Sequence, residues 1–222
     1  MFEQTITHHI QKHILSVLLH HKVVRFRDLR PPRTDTNLFS YHLKLLQKQK
    51  FVEKIDGGYT LSPIGLSYVD RVNANKLFVR QQPKMITMLL VQDGYGNILL
   101  QKRTKQPYID TWTLPYGKVH IDDESIAIGA KREAFEKLGL ESVTPRHVGD
   151  VYIRVKSENN LVSSTLVHIC RFEVDEYEES DEISWCAPLK ISRYELAPAV
   201  EQIVARSFFG DDFFFDEYIV DL

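Results

Sequence analysis

Apolar residues near the start of the chain recur at helical intervals: Ile6, Ile10, His13 with Ile14, and Val17 with Leu18. The spacing predicts a helix over about 5–20, with Thr5 as its N-cap. Phe26-Arg27-Asp28-Leu29 reads as a second, short helix closed by Pro31-Pro32. Asp35-Thr36 then caps a third helix over about 37–50. Leu38, Phe39, His42, Leu45 and Leu46 make one face of it, and Ser40, Tyr41, Lys44, Gln47 and Lys48 much of the other. Two short β-prone runs, 51–55 and 59–62, flank Asp56-Gly57-Gly58, a hairpin signal. A fourth helix over 64–72 starts at Pro63, with Ser62 as cap.

The pattern then changes. Met85–Val91 and Ile98–Arg103 are strand-like and separated by the turn Asp93-Gly94-Tyr95-Gly96-Asn97. After Trp112-Thr113-Leu114-Pro115-Tyr116-Gly117-Lys118-Val119, a helix runs over about 124–138 and ends at Gly139. Further strands are expected at about 147–156 and 163–174, a short segment from Trp185, and a last helix at 197–208. No internal repeat or low-complexity segment interrupts the chain. The mixture makes the fold class α+β.

Composition adds limits. The chain of 222 residues is 43% hydrophobic and 26% charged, enough for one or two packed domains. Its longest apolar run, 85–91, is far below the ~20 residues of a membrane helix. The first residues lack the basic-then-apolar pattern of a secretory leader, and the expected location is cytoplasmic. Cys170 and Cys186, without a Cys-x-x-Cys, read as reduced core thiols. The net charge of −2 conceals an asymmetry. Residues 1–75 carry eleven Lys/Arg and six Asp/Glu, whereas the remainder carries 17 and 24. The break suggests two domains, 1–75 and 76–222, joined through the polar segment 72–76.

The order helix, helix, helix, hairpin, helix, with Asn37-Leu-Phe-Ser-Tyr-His-Leu-Lys-Leu-Leu46 and a hairpin ending Gly58-Tyr-Thr-Leu-Ser62, resembles the ArsR-like winged helix-turn-helix family over about 6–72. The resemblance implies that the third helix reads DNA and that 54–60 is the wing. Asn37, Ser40, Tyr41 and Lys44 are the residues for base or backbone contact, and Lys48, Lys54 and Arg33 those for phosphates. His42 lies nearer the apolar side, as a packed histidine. The other reading of the same basic face is a protein-docking or dimerisation module.

Residues 84–205 resemble the Nudix hydrolases. Gly117 is followed by six residues and Glu124. Seven residues later comes Arg132-Glu133-Ala134-Phe135-Glu136-Lys137-Leu138-Gly139-Leu140. The family's interval after the glycine is five, and its last Glu of a Glu-Glu pair is here Lys137. The resemblance implies an α/β/α sandwich with a mixed sheet, following the winged helix. It also implies hydrolysis of a diphosphate linked to another moiety, by water attack at phosphorus, with Mg2+ or Mn2+ as cofactor. Glu133 and Glu136, three apart on one helix face, are the catalytic and metal carboxylates, supported by Gly117 and Glu124. Arg132 is the helix-orienting arginine. Asp122 and Asp123 in the enlarged loop either replace a lost ligand or are solvated. Glu182, or Glu178 and Glu179, is the candidate outlying base. Tyr108, Trp112, Tyr116 and Lys118 are candidate substrate contacts, the aromatics being either base-stacking or core. Lys137 either weakens and rearranges metal binding or pairs with Glu133 and Glu136 in a domain that senses its ligand.

Together the two halves are similar to Nudix-related transcriptional regulators, with the domain order reversed. Two functions follow: a Mg2+-dependent hydrolase of a nucleoside diphosphate derivative, or a metabolite-responsive DNA-binding regulator. The expected partners are a nucleotide-type small molecule and, through the basic helix, DNA, with no membrane. The acid-flanked aromatics Phe208-Phe209, Phe213-Phe214-Phe215 and Tyr218 are either a homodimer contact or a tail docked on its own domain.

Overall fold

A computed structural model describes residues 6–72, 82–158, 160–209 and 213–221. The chain divides into two compact units, Met1–Gln82 and Pro83–Leu222. Thr5, most of the expected linker and the expected boundary after residue 75 lie outside the described residues.

The first unit runs α1 (His9–His20), α2 (Phe26–Leu29), α3 (Thr36–Lys48), β1 (Val52–Ile55), β2 (Gly58–Leu61) and α4 (Pro63–Arg71). Asp35 caps α3 by accepting hydrogen bonds from the Asn37 and Leu38 amides at 2.9 and 3.0 Å, and these amides hold its carboxyl below its ordinary value. Ser62 caps α4 in the same way through the Gly65 amide. α1 begins later than its apolar spacing suggests, because His8 accepts from the Ile10 amide and serves as cap. The core is formed by Ile10, Ile14 and Leu15 of α1, Leu29 of α2, and Phe39, Leu43 and Leu46 of α3. The apolar face of α3 is therefore Phe39, His42, Leu43 and Leu46. Leu38, expected inside, is 46% exposed, because it lies about 100° around the helix from Phe39 at the middle of that face. His42 is buried and stacked on His8, with ring centroids 3.7 Å apart, and burial lowers its pKa. Gly58 is required at the hairpin: its φ is +153°, and a Cβ there would lie 2.3 Å from the Val24 carbonyl oxygen.

The second unit contains β3 (Lys84–Gln92), β4 (Ile98–Lys102), β5 (Trp112–Thr113), β6 (Tyr116–Lys118), α5 (Ile126–Leu138), β7 (Arg146–Ser157), β8 (Asn160–Glu173), β9 (Ile183–Cys186), a 3₁₀ turn over Pro188–Arg193, α6 (Val200–Phe209) and β10 (Phe214–Asp221). The strands form one sheet in the order β10-β7-β8-β3-β4-β5, with β6 also on β3 and β9 on β4. β3–β8 and β10–β7 are parallel and the other pairs antiparallel, so the sheet is mixed.

Strand alternation gives the sheet two apolar faces. One carries Met88, Leu90, Val167 and Ile169 against Val200, Ile203 and Val204 of α6. The other carries Leu89, Val91, Cys170 and Phe172 against Ala130, Ala134 and Leu138 of α5. Cys170 and Cys186 are free and buried, and burial pushes the Cys170 thiol up to about 12, with Asp150 adding to the shift. The acid- and aromatic-rich end of the chain is β10, a strand of its own sheet. Phe214 is buried against Gly149, while Phe213 and Phe215 remain exposed. No helix among the described residues is long and apolar enough to cross a membrane.

Candidate functional site

The site is built where α5 crosses β3 and β6. Ser125 caps the helix through the Ile128 amide, and Gly139 closes it in the left-handed conformation. The inward side of α5 consists of Gly129, Ala130, Glu133, Ala134 and Leu138. Glu133 is thus a carboxylate on an apolar stripe, only 3% exposed. It fits because β6 presents Gly117 beneath it. A Cβ at that position would lie 1.7 Å from the Glu133 carboxyl carbon and Oε2.

Arg132 organises the carboxylates. Its Nε and Nη2 donate to Asp123 Oδ1 and Oδ2 at 2.9 and 2.8 Å, a bidentate pair. Nη1 donates to Glu133 Oε1 at 2.7 Å and reaches Glu136 Oε1 at 3.5 Å. Nη2 also donates to the Lys118 carbonyl oxygen at 2.9 Å, tying the helix to β6. Asp123 takes a further hydrogen bond from the His120 amide and packs on Gly129. The Arg132 guanidinium, helped by that amide, pulls the Asp123 pKa from its ordinary 3.8 to about 2. The same carboxylates raise the pKa of Arg132. Glu133 Oε1 is thereby fixed, while Oε2 is buried with no hydrogen-bond partner among the described residues.

Beside these groups lies a cleft of about 410 Å³, lined by Gly117, Glu133, Glu136, Tyr116 and His120, and by Lys102, Arg103, Lys105, Lys118 and Lys137. Five Lys/Arg side chains against two carboxylates make it a site for an anion. A larger hollow of about 780 Å³ is lined by Asp93, Asp175, Glu176, Glu178 and Glu179, and its charge opposes an anionic ligand.

The structure brings together Arg132, Glu133, Glu136, Gly117, Tyr116 and Lys118. It separates others that the sequence grouped with them. Glu124 is exposed and outside the cleft, and Asp123 holds the place at Arg132. The extra loop residue is absorbed after Asp123, which restores a five-residue interval from Gly117 with Asp in the place of Glu. Asp122 is exposed. Glu182 is exposed and lines neither hollow; its backbone carbonyl accepts from the Lys102 amide. Glu179 accepts from the Trp185 amide and the Ser184 hydroxyl, on the acidic hollow. Tyr108 and Trp112 pack against the α6 side of the core, Trp112 edge-on to Tyr194, and neither lines the cleft. Lys137 does line it, but forms no ion pair among the described residues. Arg132, not Lys137, meets Glu133 and Glu136.

Arg103 escaped the sequence reading. Its Nε donates to the Pro107 carbonyl at 2.9 Å, its Nη1 donates to the Tyr116 hydroxyl, and its guanidinium stacks over the Tyr108 and Tyr116 rings. Its place at the end of a strand, before a polar loop, was the available signal.

In the first unit, Asn37, Tyr41, Lys44 and Lys48 of α3 and Lys54 of β1 are exposed, as is Arg33 before α3; Ser40 is half-buried. The exposed side of α3 therefore presents the polar and basic residues together.

The donors at this site are hard oxygens. Glu133 Oε2 is bare, Glu136 lies one turn away on the same cleft, and Gly117 lets main chain approach. Hard oxygen ligands of this kind suit Mg2+ or Mn2+.

A search of curated proteins finds no match to the chain. Among solved structures, the NUDIX domain of Shewanella oneidensis NrtR, complexed with ADP ribose, is 15% identical; the match covers 64% of this chain and 96% of that one, with a TM-score of 0.49. A NUDIX hydrolase from Nitrosomonas europaea is 19% identical over 77% of this chain and 93% of that one, with a TM-score of 0.46. The MutT protein from Methanosarcina mazei Go1 is 26% identical over 58% of this chain and 96% of its own, with a TM-score of 0.45. The family model described as NUDIX domain matches residues 82–207, more than half of the chain. With the helix, glycine and carboxylates in place at that match, the chain belongs to the Nudix family.

Proposed function

We propose that the second unit is a divalent-cation-dependent hydrolase that cleaves a diphosphate bond in a nucleoside diphosphate derivative. One observation carries this reading: Glu133 presents over Gly117 a buried carboxylate oxygen with no hydrogen-bond partner among the described residues, in a cleft lined by five cationic side chains. Glu133 and Glu136 would hold the cation. A bound cation of the Mg2+ class offsets charge on phosphate oxygens as water attacks phosphorus. The chain supplies the rest. Lys102, Lys105 and Lys118 attract and orient the diphosphate. Arg132 keeps Glu133 Oε1 occupied, so that Oε2 is the oxygen left for the site. Asp123 holds Arg132 in place.

Lys137 favours a second reading. Its ammonium lines the same cleft without a carboxylate partner among the described residues, and would oppose a cation while attracting an anion. The domain would then bind its nucleotide-type ligand with little turnover. In either case the first unit, with helix, helix, helix, hairpin and helix in order and a basic exposed side on α3, is a winged helix that binds DNA.

The test is release of phosphate or nucleoside monophosphate from nucleoside triphosphates, ADP-ribose, dinucleoside polyphosphates and sugar nucleotides, with Mg2+ and with Mn2+. Each is run beside the Glu133→Gln/Glu136→Gln variant. Turnover that vanishes in the variant supports the hydrolase. No turnover on any compound, with one of them raising the melting temperature, replaces it with the sensor.

A further inference from the structure

Beneath α5 a line of polar residues crosses the sheet among apolar neighbours. In register, Gly117 of β6 lies opposite Thr87 of β3, Thr87 opposite His168 of β8, and His168 opposite Asp150 of β7. Alternation puts Thr87 on the same face as Leu89 and Val91, and His168 on the same face as Cys170, so both point toward α5. The Glu133 carboxyl fills the place above Gly117 and completes the line. Three buried polar atoms on it lack a hydrogen-bond partner among the described residues: Glu133 Oε2, Thr87 Oγ1 and His168 Nε2. Thr87 is 0% and His168 7% exposed, so bulk water does not satisfy them.

At its far end the line is tightly held. Asp150 Oδ1 accepts from His168 Nδ1 at 2.6 Å and from His147 Nε2 at 2.7 Å. A carboxylate only accepts, so His168 Nδ1 carries hydrogen and the ring orientation is set. His168 Nε2 then points away from Asp150. Whether or not that nitrogen is protonated, burial demands a partner for it. Neighbouring strands are about 4.8 Å apart, so Thr87 stands between His168 and Glu133; no direct hydrogen bond joins the three, and one enclosed water on each side of the hydroxyl would link them.

We propose that His168 is a positioning residue for Glu133, acting through Thr87 from an anchor made by Asp150 and His147. The network satisfies the three orphaned atoms and holds Glu133 from the side opposite Arg132. Oε1 is set by Arg132; Oε2 accepts one hydrogen bond from the Thr87–His168 line and keeps its other lone pair for the cleft. An unanchored carboxylate turns about its last bond, and its oxygen leaves the cleft. The assignment rests on the hydrolase reading of the Glu133 cleft.

The test separates the two ring nitrogens of His168. His168→Asn keeps an amide near the Nδ1 position, and with it the bond to Asp150. His168→Gln carries its amide to the Nε2 position. Turnover is measured on whichever compound of the panel is cleaved, with Mn2+ affinity by titration and melting temperature beside it. His168→Asn and Thr87→Val are expected to lose about 10–100-fold in kcat or Mn2+ affinity, as outer groups around a metal carboxylate do, with KM and melting temperature close to wild type. His168→Gln and Thr87→Ser recover most of the loss. A purely structural His168 shows the reverse order, with Asn retaining function and Gln losing it, and overturns the proposal. A second readout needs no turnover: Glu133→Gln shifts the ¹⁵N resonance of His168 Nε2, and an unmoved resonance overturns the proposal. Activity unaffected by Glu133→Gln overturns the hydrolase reading. Activity lost in Glu133→Gln but intact in His168→Asn and Thr87→Val overturns this inference alone.

Discussion

The candidate residues of the two units are organised in opposite ways. On α3 they are exposed, spaced along one helix, and held by little besides the helix itself. At α5 the central ones, Asp123, Arg132 and Glu133, are buried or half-buried, with Glu136 and Lys118 exposed beside them; they are drawn from a loop, a strand and a helix, and held by one another through Arg132. A surface for a large, repetitive anion tolerates mobile side chains, because its affinity adds up over many phosphate contacts. A site that must place one carboxylate oxygen needs that carboxylate fixed by neighbours. Substitutions should therefore be nearly additive in the first unit and strongly coupled in the second.

The sharpest way to break the contrast is Gly117→Ala. The new Cβ meets the Glu133 carboxyl at 1.7 Å, so the carboxylate must leave its place. Turnover should fall by about 10²–10³-fold, the scale for losing one preorganised polar group at a reacting centre. The melting temperature should fall as well, because the displaced carboxylate loses the bond from Arg132 and the packing over Gly117. Wild-type kinetics in this variant would show that the buried position of Glu133 is irrelevant to the reaction.

Next is a pair of loop variants. Asp123→Ala should cost about 10–100-fold in kcat or metal affinity, since it frees Arg132 from its bidentate partner. Glu124→Ala, one residue along and exposed, should cost nothing measurable. The opposite order would return Glu124 to the site and undo the assignment at Arg132.

In the first unit the effects are smaller and uniform. Anisotropy of a labelled duplex, titrated at several salt concentrations, should show binding that weakens as salt rises. Lys48→Ala and Lys44→Ala should each reduce the salt slope by about 1 and act alike on different sequences. Lack of binding at low salt would leave the exposed side of α3 as a protein-docking face.

The smallest effect is on acid stability. The folded state holds the Asp123 carboxyl at about 2 against an ordinary 3.8. A depressed pKa favours the ionised, folded form above the ordinary value, and that stabilisation is lost as pH falls from about 4 to about 2. Urea midpoints should therefore drop faster over this window in wild type than in Asp123→Asn, and the gap between them should narrow as pH falls. Parallel curves would show that Asp123 is not ion-paired in solution.

Helix α3 and its cap were legible because the information is local. Asp35 and the apolar repeat lie within a few turns, and only the packed core shows Leu43 inside and Leu38 outside. α5 was legible for the same reason, with Ser125 rather than Glu124 at its start. The pairing of Arg132 was not legible to the residue. Glu124 and Asp123 are neighbours in the chain, and the path of the loop over Gly129 selects between them. Between base-stacking and core for Tyr108 and Trp112 the sequence could not choose: a ring in a loop or on a short strand near a site takes its side only when the sheet packs, and both lie against the core.

From the sequence alone come the two-part organisation, the helices, the hairpin and the helix carrying Arg132, Glu133 and Glu136, all patterns that repeat over short separations. Tertiary structure decided which carboxylate holds Arg132, and that the aromatic tail is the strand β10 of its own sheet. It also decided that Thr87, His168 and Asp150 share one line beneath Glu133. Those outcomes depend on strand register between segments far apart in the chain. A shift of one residue would turn every side chain to the other face, and no local pattern records that choice.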